Sequence, residues 1–473
     1  MATRLTFGEW LPDQPGAVGT LQKASNVIPI ASGYAPLPSL VDYSQDASED
    51  LNAVFSGRRS TSSIFFAGGA SKLFKLDPTD FSLDDVSKTG GYSSSYPWDF
   101  VQFGTSIIAA NGTEKLQNWV LNSSSQFADL DAAAPVARYV TVVRDFVVCG
   151  NISGAENRVQ WSDINDETNW TAGASSQSDY QNLPDGGGIQ GITGGEFGLI
   201  LLDRSIVRMS YIGSPLFFQF DTISRNRGCL EPGSIAQYGQ MTFFLSDDGF
   251  YSCAGESLTP IGAEKVNRWF FNDANPSTLS TISAATDPLR NVVVWSYQNN
   301  EGGRSLLVYN WQLNRWSHGT TTAETLSSAA TTGETLESLD SISGSLDSLG
   351  TSLDSPQWVG GSLLFAGSVG AKIATFTGAS STALFETGDF GDANPSMVTL
   401  ARPLIDGGSA SVAAFSRNLL GQTIGFGSRT AADSDNRVPL RSLGKYHRLQ
   451  VEPSGTWTAA VAVDVEMTGA GVR

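Results

Sequence analysis

The stretch Phe146-Val147-Val148-Cys149-Gly150, followed past a polar turn by Arg158-Val159-Gln160-Trp161-Ser162, decides how this sequence reads. Each half is a short run of β-branched and aromatic residues bounded by Gly, Asn or Asp. That pattern marks two strands joined by a turn. The same unit recurs outward in both directions. Ile64-Phe65-Phe66-Ala67-Gly68-Gly69 leads into Leu73-Phe74-Lys75-Leu76, and Ile107-Ile108-Ala109-Ala110 leads into Leu116-Gln117-Asn118-Trp119-Val120. Further units begin near residues 199, 242, 291 and 363. The intervals between units are about 40–50 residues, the length of a four-stranded propeller blade. Only the last interval is longer. Apolar residues at helical spacing are scarce. The expected fold is therefore all-β, a β-propeller of about seven blades (six to eight) over residues 51–380. Two consecutive β-sandwiches are the alternative that shows similar strand spacing.

Residues 1–50 are rich in Pro and Gly and read as an extended N-terminal arm with few internal strands. Residues 381–473 return to strand patterning and read as a small C-terminal β region, or as strands that complete the last blade. The long interval contains an insertion at residues 320–356, with six acids (Glu324, Glu334, Glu337, Asp340, Asp347 and Asp354) and no Lys or Arg. Ser-Leu-Asp-Ser recurs there every seven residues. Leu339, Ile342, Leu346, Leu349 and Leu353 fall at 3,4 spacing, as on one stripe of a helix. The segment reads either as a solvated loop or as one that orders when its leucine stripe meets a neighbouring protein.

Composition narrows the function. The 473 residues carry 47 acids and 29 bases, a formal charge of −18, with only 3 Cys and 2 His. Sequence-independent nucleic-acid binding needs clustered Lys and Arg, which an acidic chain does not favour. No apolar run is long enough to cross a bilayer as a helix, so no membrane anchor is expected. No basic region followed by an apolar core opens the chain, so no signal peptide is expected and the four Asn-x-Ser/Thr sites (Asn111, Asn122, Asn151 and Asn169) read as irrelevant. Cys149, Cys229 and Cys253 have neither a disulfide framework nor metal-ligand spacing, so no metal or other cofactor is expected.

Catalytic motifs are equally thin. Gly186-Gly187-Gly188-Ile189-Gln190-Gly191 matches a dinucleotide fingerprint only formally. Leu183-Pro184-Asp185 precedes it and no helix follows, so it reads as a turn between blades. A nucleophilic triad would need His318 or His447, and both read as surface or rim residues. Asp433-Ser434-Asp435-Asn436 resembles the start of a calcium loop but lacks its Gly and distant Glu, and reads as a polar turn. Trp161, Trp170, Trp295, Trp311 and Trp316 sit within strand repeats, so they read as core rather than as a sugar platform. No catalytic residue is expected, and the chain is not expected to be an enzyme.

Several motifs carry a resemblance. Phe7-Gly8-Glu9-Trp10-Leu11-Pro12-Asp13, Arg158-Val159-Gln160-Trp161-Ser162-Asp163, Gly213-Ser214-Pro215-Leu216-Phe217-Phe218 and Phe244-Leu245-Ser246-Asp247-Asp248-Gly249-Phe250-Tyr251 together resemble the tail hub, or nozzle, of short-tailed bacteriophages, the packaged-DNA stabilisation proteins. The resemblance covers roughly residues 1–320 and the extreme C-terminus, and the 320–356 insertion does not map onto it. It implies a structural virion protein, assembled in the host cytoplasm, forming a homo-hexameric ring below the portal and head–tail adaptor. The ring would extend the channel for double-stranded DNA, retain the packaged genome, and dock needle or fibre proteins. Six copies would carry about −108 formally, from six times −18, and an acidic lumen would let DNA slide without sticking. Phe7, Trp10 and Leu11, with the leucine stripe Leu339, Ile342, Leu346, Leu349 and Leu353, are the expected interface residues. The alternative is a carbohydrate-binding or glycoside-hydrolysing propeller of a virion, since propellers can host paired carboxylates. A generic scaffold propeller in a non-viral complex is a third reading.

Overall fold

The computed structural model describes residues 2–14, 19–59, 62–330 and 363–470. Seven antiparallel four-stranded units follow one another around an axis. Their first strands are Leu51–Arg59, Asp99–Phe103, Ala137–Val143, Ile189–Thr193, Ala236–Tyr238, Ser283–Asp287 and Thr325–Ala330, in blades I to VII. Blade VI is four strands at one end of a twelve-stranded sheet, and the other six blades are separate sheets. The fold is a seven-bladed β-propeller with an extended N-terminal stretch and a C-terminal β region.

The first apolar run of each repeating unit is the second strand of a blade, and the run after the turn is the third. Phe146–Ile152, Gly198–Leu202 and Val292–Gln298 are buried along almost their whole length. Such strands are covered on both faces, which explains why they read as continuous rather than alternating apolar runs. Apolar side chains from neighbouring blades fill each seam. Phe66 and Trp119 meet edge to face between blades I and II, with ring centroids 5.4 Å apart. The Trp98 indole donates to the Gly69 carbonyl at 2.9 Å. Gly68 must be glycine here, because a Cβ would lie 2.3 Å from the Trp98 ring.

The ring closes through the N-terminus. Val41–Asp42 supplies the fourth strand of blade VII, pairing antiparallel with Lys372–Thr375, and Lys372 Nζ lies 2.8 Å from Asp42. The C-terminal residues therefore do not complete the last blade. Residues 1–50 are extended but not poor in strands. Ala2–Thr6 pairs with the last strand of the chain, and Leu21–Ser25 bridges the outer strand of blade VI to Leu384–Thr387. Val27–Ile30 and Gly33–Pro36 form a hairpin. The strand reading failed here because Pro and Gly interrupt the apolar pattern.

Both chain ends thus build one sheet beside blade VI. Its long members are Phe390–Arg417 and Val438–Gly469. The segment around Met397–Ala401 is flanked on both sides by parts of the same partner strand, since Met397 faces both Leu443 and Thr468, so the pair curls on itself. The 320–356 boundary also needs correction. Residues up to Thr321 finish blade VI, and Thr325–Ala330 is the first strand of blade VII. The leucine stripe Leu339, Ile342, Leu346, Leu349 and Leu353 lies outside the described residues.

Candidate functional site

The first strands of all seven blades begin around one axial cavity of about 760 Å³. Its charged lining comes from different blades: Asp99 from II, Arg138 from III, Glu231 from the loop before V, Arg304 from VI and Glu324 from the loop before VII. Gly233 permits a close crossing in the wall, since a Cβ there would fall 1.9 Å from the Ile282 carbonyl oxygen.

The two arginines differ in what they do. Arg304 is committed to the fold. Its Nη2 donates to the carbonyls of Thr281 and Glu324, each at 3.0 Å, and its Nε donates to Ser296 Oγ at 3.1 Å. Burial lowers its pKa. Arg138 instead lies over the Tyr96 ring at 4.0 Å and the Tyr139 ring at 5.2 Å, without a hydrogen bond or ion pair among the described residues. The Tyr139 hydroxyl is buried with no hydrogen-bond partner among the described residues, and burial pushes its pKa up. Asp99 keeps some exposure toward the cavity, but surrounding protein desolvates its carboxyl and pushes it up to about 7, partly offset by hydrogen bonds from the Val140 and Phe100 N–H groups. Burial also raises Glu231, against the opposing field of Arg138.

The histidines are not rim residues. His447 is fully buried, with Ser396 Oγ 2.9 Å from Nε2 and Ser416 Oγ 2.5 Å from Nδ1. Burial lowers its pKa. A triad needs a carboxylate on one ring nitrogen, and both nitrogens here meet serines. His318 packs 4.8 Å from Trp10 and 5.3 Å from Trp269, and burial lowers it to about 3. Near His447, Asp389 Oδ2 accepts from Arg417 Nη2 at 2.6 Å and from Arg448 Nη2 at 2.8 Å, while Arg448 Nη1 reaches Glu386 at 3.0 Å. This buried ion network ties the two long terminal strands to the chain that enters them.

The structure separates the expected interface residues. Phe7 and Trp10 are 2% and 1% exposed, inside the seam between the terminal sheet and blades V and VI. Phe7 stacks on Phe385 at 4.6 Å, and the Trp10 indole donates to the Gln22 carbonyl at 3.2 Å. They anchor the chain's own end rather than a second copy. Leu11 is half-buried. The Gly186–Gly188 run is a turn between blades III and IV, held by Asp203 Oδ2 accepting from the Gly188 N–H at 2.8 Å. Asp433 Oδ1 accepts from the Asp435 and Arg437 N–H groups, closing a polar turn. Trp161, Trp170, Trp295 and Trp316 are buried, and Trp311 stacks on Tyr238 at 4.9 Å. The sequence reading missed the axial set altogether. Asp99, Arg138 and Tyr139 lie on first strands, Arg304 on the third strand of blade VI, and Glu231 and Glu324 in loops, so no spacing in the chain links them.

No family model matches the sequence, and no curated protein matches it. Solved structures similar to this chain include BamB from Moraxella catarrhalis, with 10% identity, a TM-score of 0.38, and coverage of 79% of this chain and 97% of that one. The WD40 domain of Pan2 from Neurospora crassa matches at 6% identity and a TM-score of 0.41, over 74% of this chain and 98% of its own. The computationally designed Ika8 protein matches at 9% identity and a TM-score of 0.35, over 72% and 99%.

Proposed function

We propose that this chain is a structural virion protein, the ring-forming tail hub or nozzle of a short-tailed bacteriophage. In this reading it sits below the portal and adaptor, retains packaged DNA and docks needle or fibre proteins. The observation that carries the reading is the second body made from both chain ends. Strands of 28 and 32 residues curl beside blade VI, and Leu419, Leu420 and Leu443 on them and their connecting loop are 55–69% exposed. Exposed leucines on a rigid sheet suit a surface that is covered in an assembly. The propeller's own axis is not the DNA path. Its cavity has the volume of a small-molecule pocket, roughly 300–1,000 Å³, whereas the major groove of a duplex alone is about 12 Å wide. In this reading the channel runs between copies, and an acidic inner wall lets DNA slide without sticking.

Electron microscopy and mass photometry of the purified protein test this. Rings, alone or with a portal–adaptor complex, with a central opening of duplex width are expected. A protein that stays monomeric in both settings overturns the reading, as does a ring whose channel surface is positive.

A further inference from the structure

The mouth of the axial cavity holds donors that the fold does not use. Arg138 carries five N–H donors in a planar fork suited to a carboxylate. The rings of Tyr96 and Tyr139 hold that fork by cation–π contact, and among the described residues no acceptor reaches it. An arginine fixed in place yet unpaired has paid little of its ordering cost to a protein partner, and a ligand can use what remains. Beside it the Tyr139 hydroxyl is sealed from solvent and unpartnered, a state that costs about 1–3 kcal/mol, so Tyr139 offers the cavity its ring, as a platform for the guanidinium, and not its donor. Desolvation holds the Asp99 carboxyl toward its protonated form, which adds an O–H donor.

Acceptors line the same cavity. The side chains of Glu231 and Glu324 make no hydrogen bond or ion pair among the described residues. Arg304 lends its charge to Glu324, but its donors are taken by Ser296 and by the Thr281 and Glu324 carbonyls. A dianionic phosphate would face three carboxyl groups with only the Arg138 fork free to hydrogen-bond it. A monocarboxylate with hydroxyl or ammonium groups matches both halves of the lining. The volume, about 760 Å³, is that of a pocket for one compact molecule.

We infer that the axial cavity binds a compact small molecule bearing a carboxylate, held by the Arg138 fork, with its hydroxyl or ammonium groups toward Glu231 and Glu324. This assignment is independent of ring assembly.

Titration of the full chain with glucuronate, glucuronamide and succinate, read by saturation-transfer NMR and calorimetry, tests it. Glucuronate is expected to bind saturably and its neutral amide much more weakly. Arg138→Leu should weaken glucuronate by roughly tenfold or more, the loss of a charge-assisted hydrogen bond. Arg138→Lys, which keeps the charge without the fork, should fall between the two. Tyr139→Phe, which keeps the ring under the guanidinium and removes only a hydroxyl sealed from the cavity, should leave glucuronate binding intact with a melting temperature no lower than before. The inference is overturned if neither acid binds, if the amide binds as well as the acid, or if Arg138→Leu leaves binding intact.

Discussion

Replacing Phe7 by Ala separates two roles for the N-terminus. As an interface residue, Phe7 would govern association and leave the isolated chain's stability alone. The structure buries it to 2% exposure, stacked on Phe385 with centroids 4.6 Å apart and planes 10° apart. The Arg315 guanidinium donates to the Phe7 and Gly8 carbonyls at 3.1 and 2.8 Å, so the backbone is held and cannot collapse into the space left behind. A Phe→Ala change at such a site costs about 3–5 kcal/mol. Unfolding entropy is about 2.1 cal/mol/K per residue, so the 473-residue chain melting as one unit would lose about 3–5 °C. If the terminal sheet melts alone, with roughly 125 residues from the two chain ends, the same energy lowers its transition by about 10–20 °C. Scanning calorimetry of the monomer reads both cases. A Phe7→Ala, Phe385→Ala cycle should return a coupling of about 0.5–1.5 kcal/mol for the stacked pair. An unchanged monomer transition, accompanied by a changed state of association, refutes the burial argument.

Three further outcomes follow from charge and topology. Asp99 has a folded pKa of about 7, above the unfolded value of about 3.9. The folded state alone therefore holds the proton between the two values, stability falls as pH rises from about 4 to about 7, and the loss is complete above the folded value, so Asp99→Asn should flatten the stability profile between about pH 4 and 7 as measured by urea melts, and an unaltered slope counts against the desolvation. Burial raises Asp389, but hydrogen bonds and charge from Arg448 and Arg417 outweigh it and hold its pKa below the usual range. Its stabilisation is then present above the unfolded pKa and lost as pH falls through the folded one. Asp389→Asn should cost roughly 3 kcal/mol at neutral pH, because it leaves two buried arginines short of a counter-charge, and it should remove that part of the acid sensitivity in the same melts. Finally, Ala330 faces Leu363 directly across blade VII, so exchanging residues 331–362 for a two-residue Asn-Gly turn is compatible with the hairpin. The shortened chain should keep its circular dichroism and melting point, and a collapse of either would mean that the excised residues hold the blade together.

What could be read from the chain follows from where its apolar residues lie. The second strands, such as Phe146–Ile152, are covered on both faces and therefore carry long apolar runs, which is why the seven-unit repeat and the propeller were legible. The first strands are not. Asp99–Phe103 is half-buried throughout, with Phe100 packed toward blade I, Val101 and Phe103 toward blade III, and Asp99 at the cavity. The cavity set of Asp99, Arg138 and Tyr139 was consequently invisible, since its members come together only through the radial order of the blades. The N-terminal arm misled for a different reason. Pro29 and Pro36 lie within a real hairpin, at positions that tolerate a missing N–H at a sheet edge. Phe7 and Trp10 read as exposed hooks because nothing local says that a partner 378 residues away, Phe385, will cover Phe7 (385 minus 7).

The topology also sets the two candidate surfaces apart. The cavity residues stand at the beginnings of the first strands: Asp99 opens Asp99–Phe103, and Arg138 is second in Ala137–Val143. The acidic Ser-Leu-Asp stretch leaves the propeller after the end of a first strand, beyond Ala330. First strands of a propeller run in the same sense about the axis, so the cavity mouth and the root of the acidic stretch lie on opposite faces of the disc. Glu324 belongs to the cavity, whereas Ala330 and Leu363, where residues 331–362 join blade VII, stand at the other end of its strands. Exchange of 331–362 should therefore leave glucuronate binding unchanged, and Arg138→Leu should leave any ring assembly unchanged. If either change moved the other property, the two faces would be coupled through the seven seams, and the propeller would act as a transmitter between them rather than as a rigid disc.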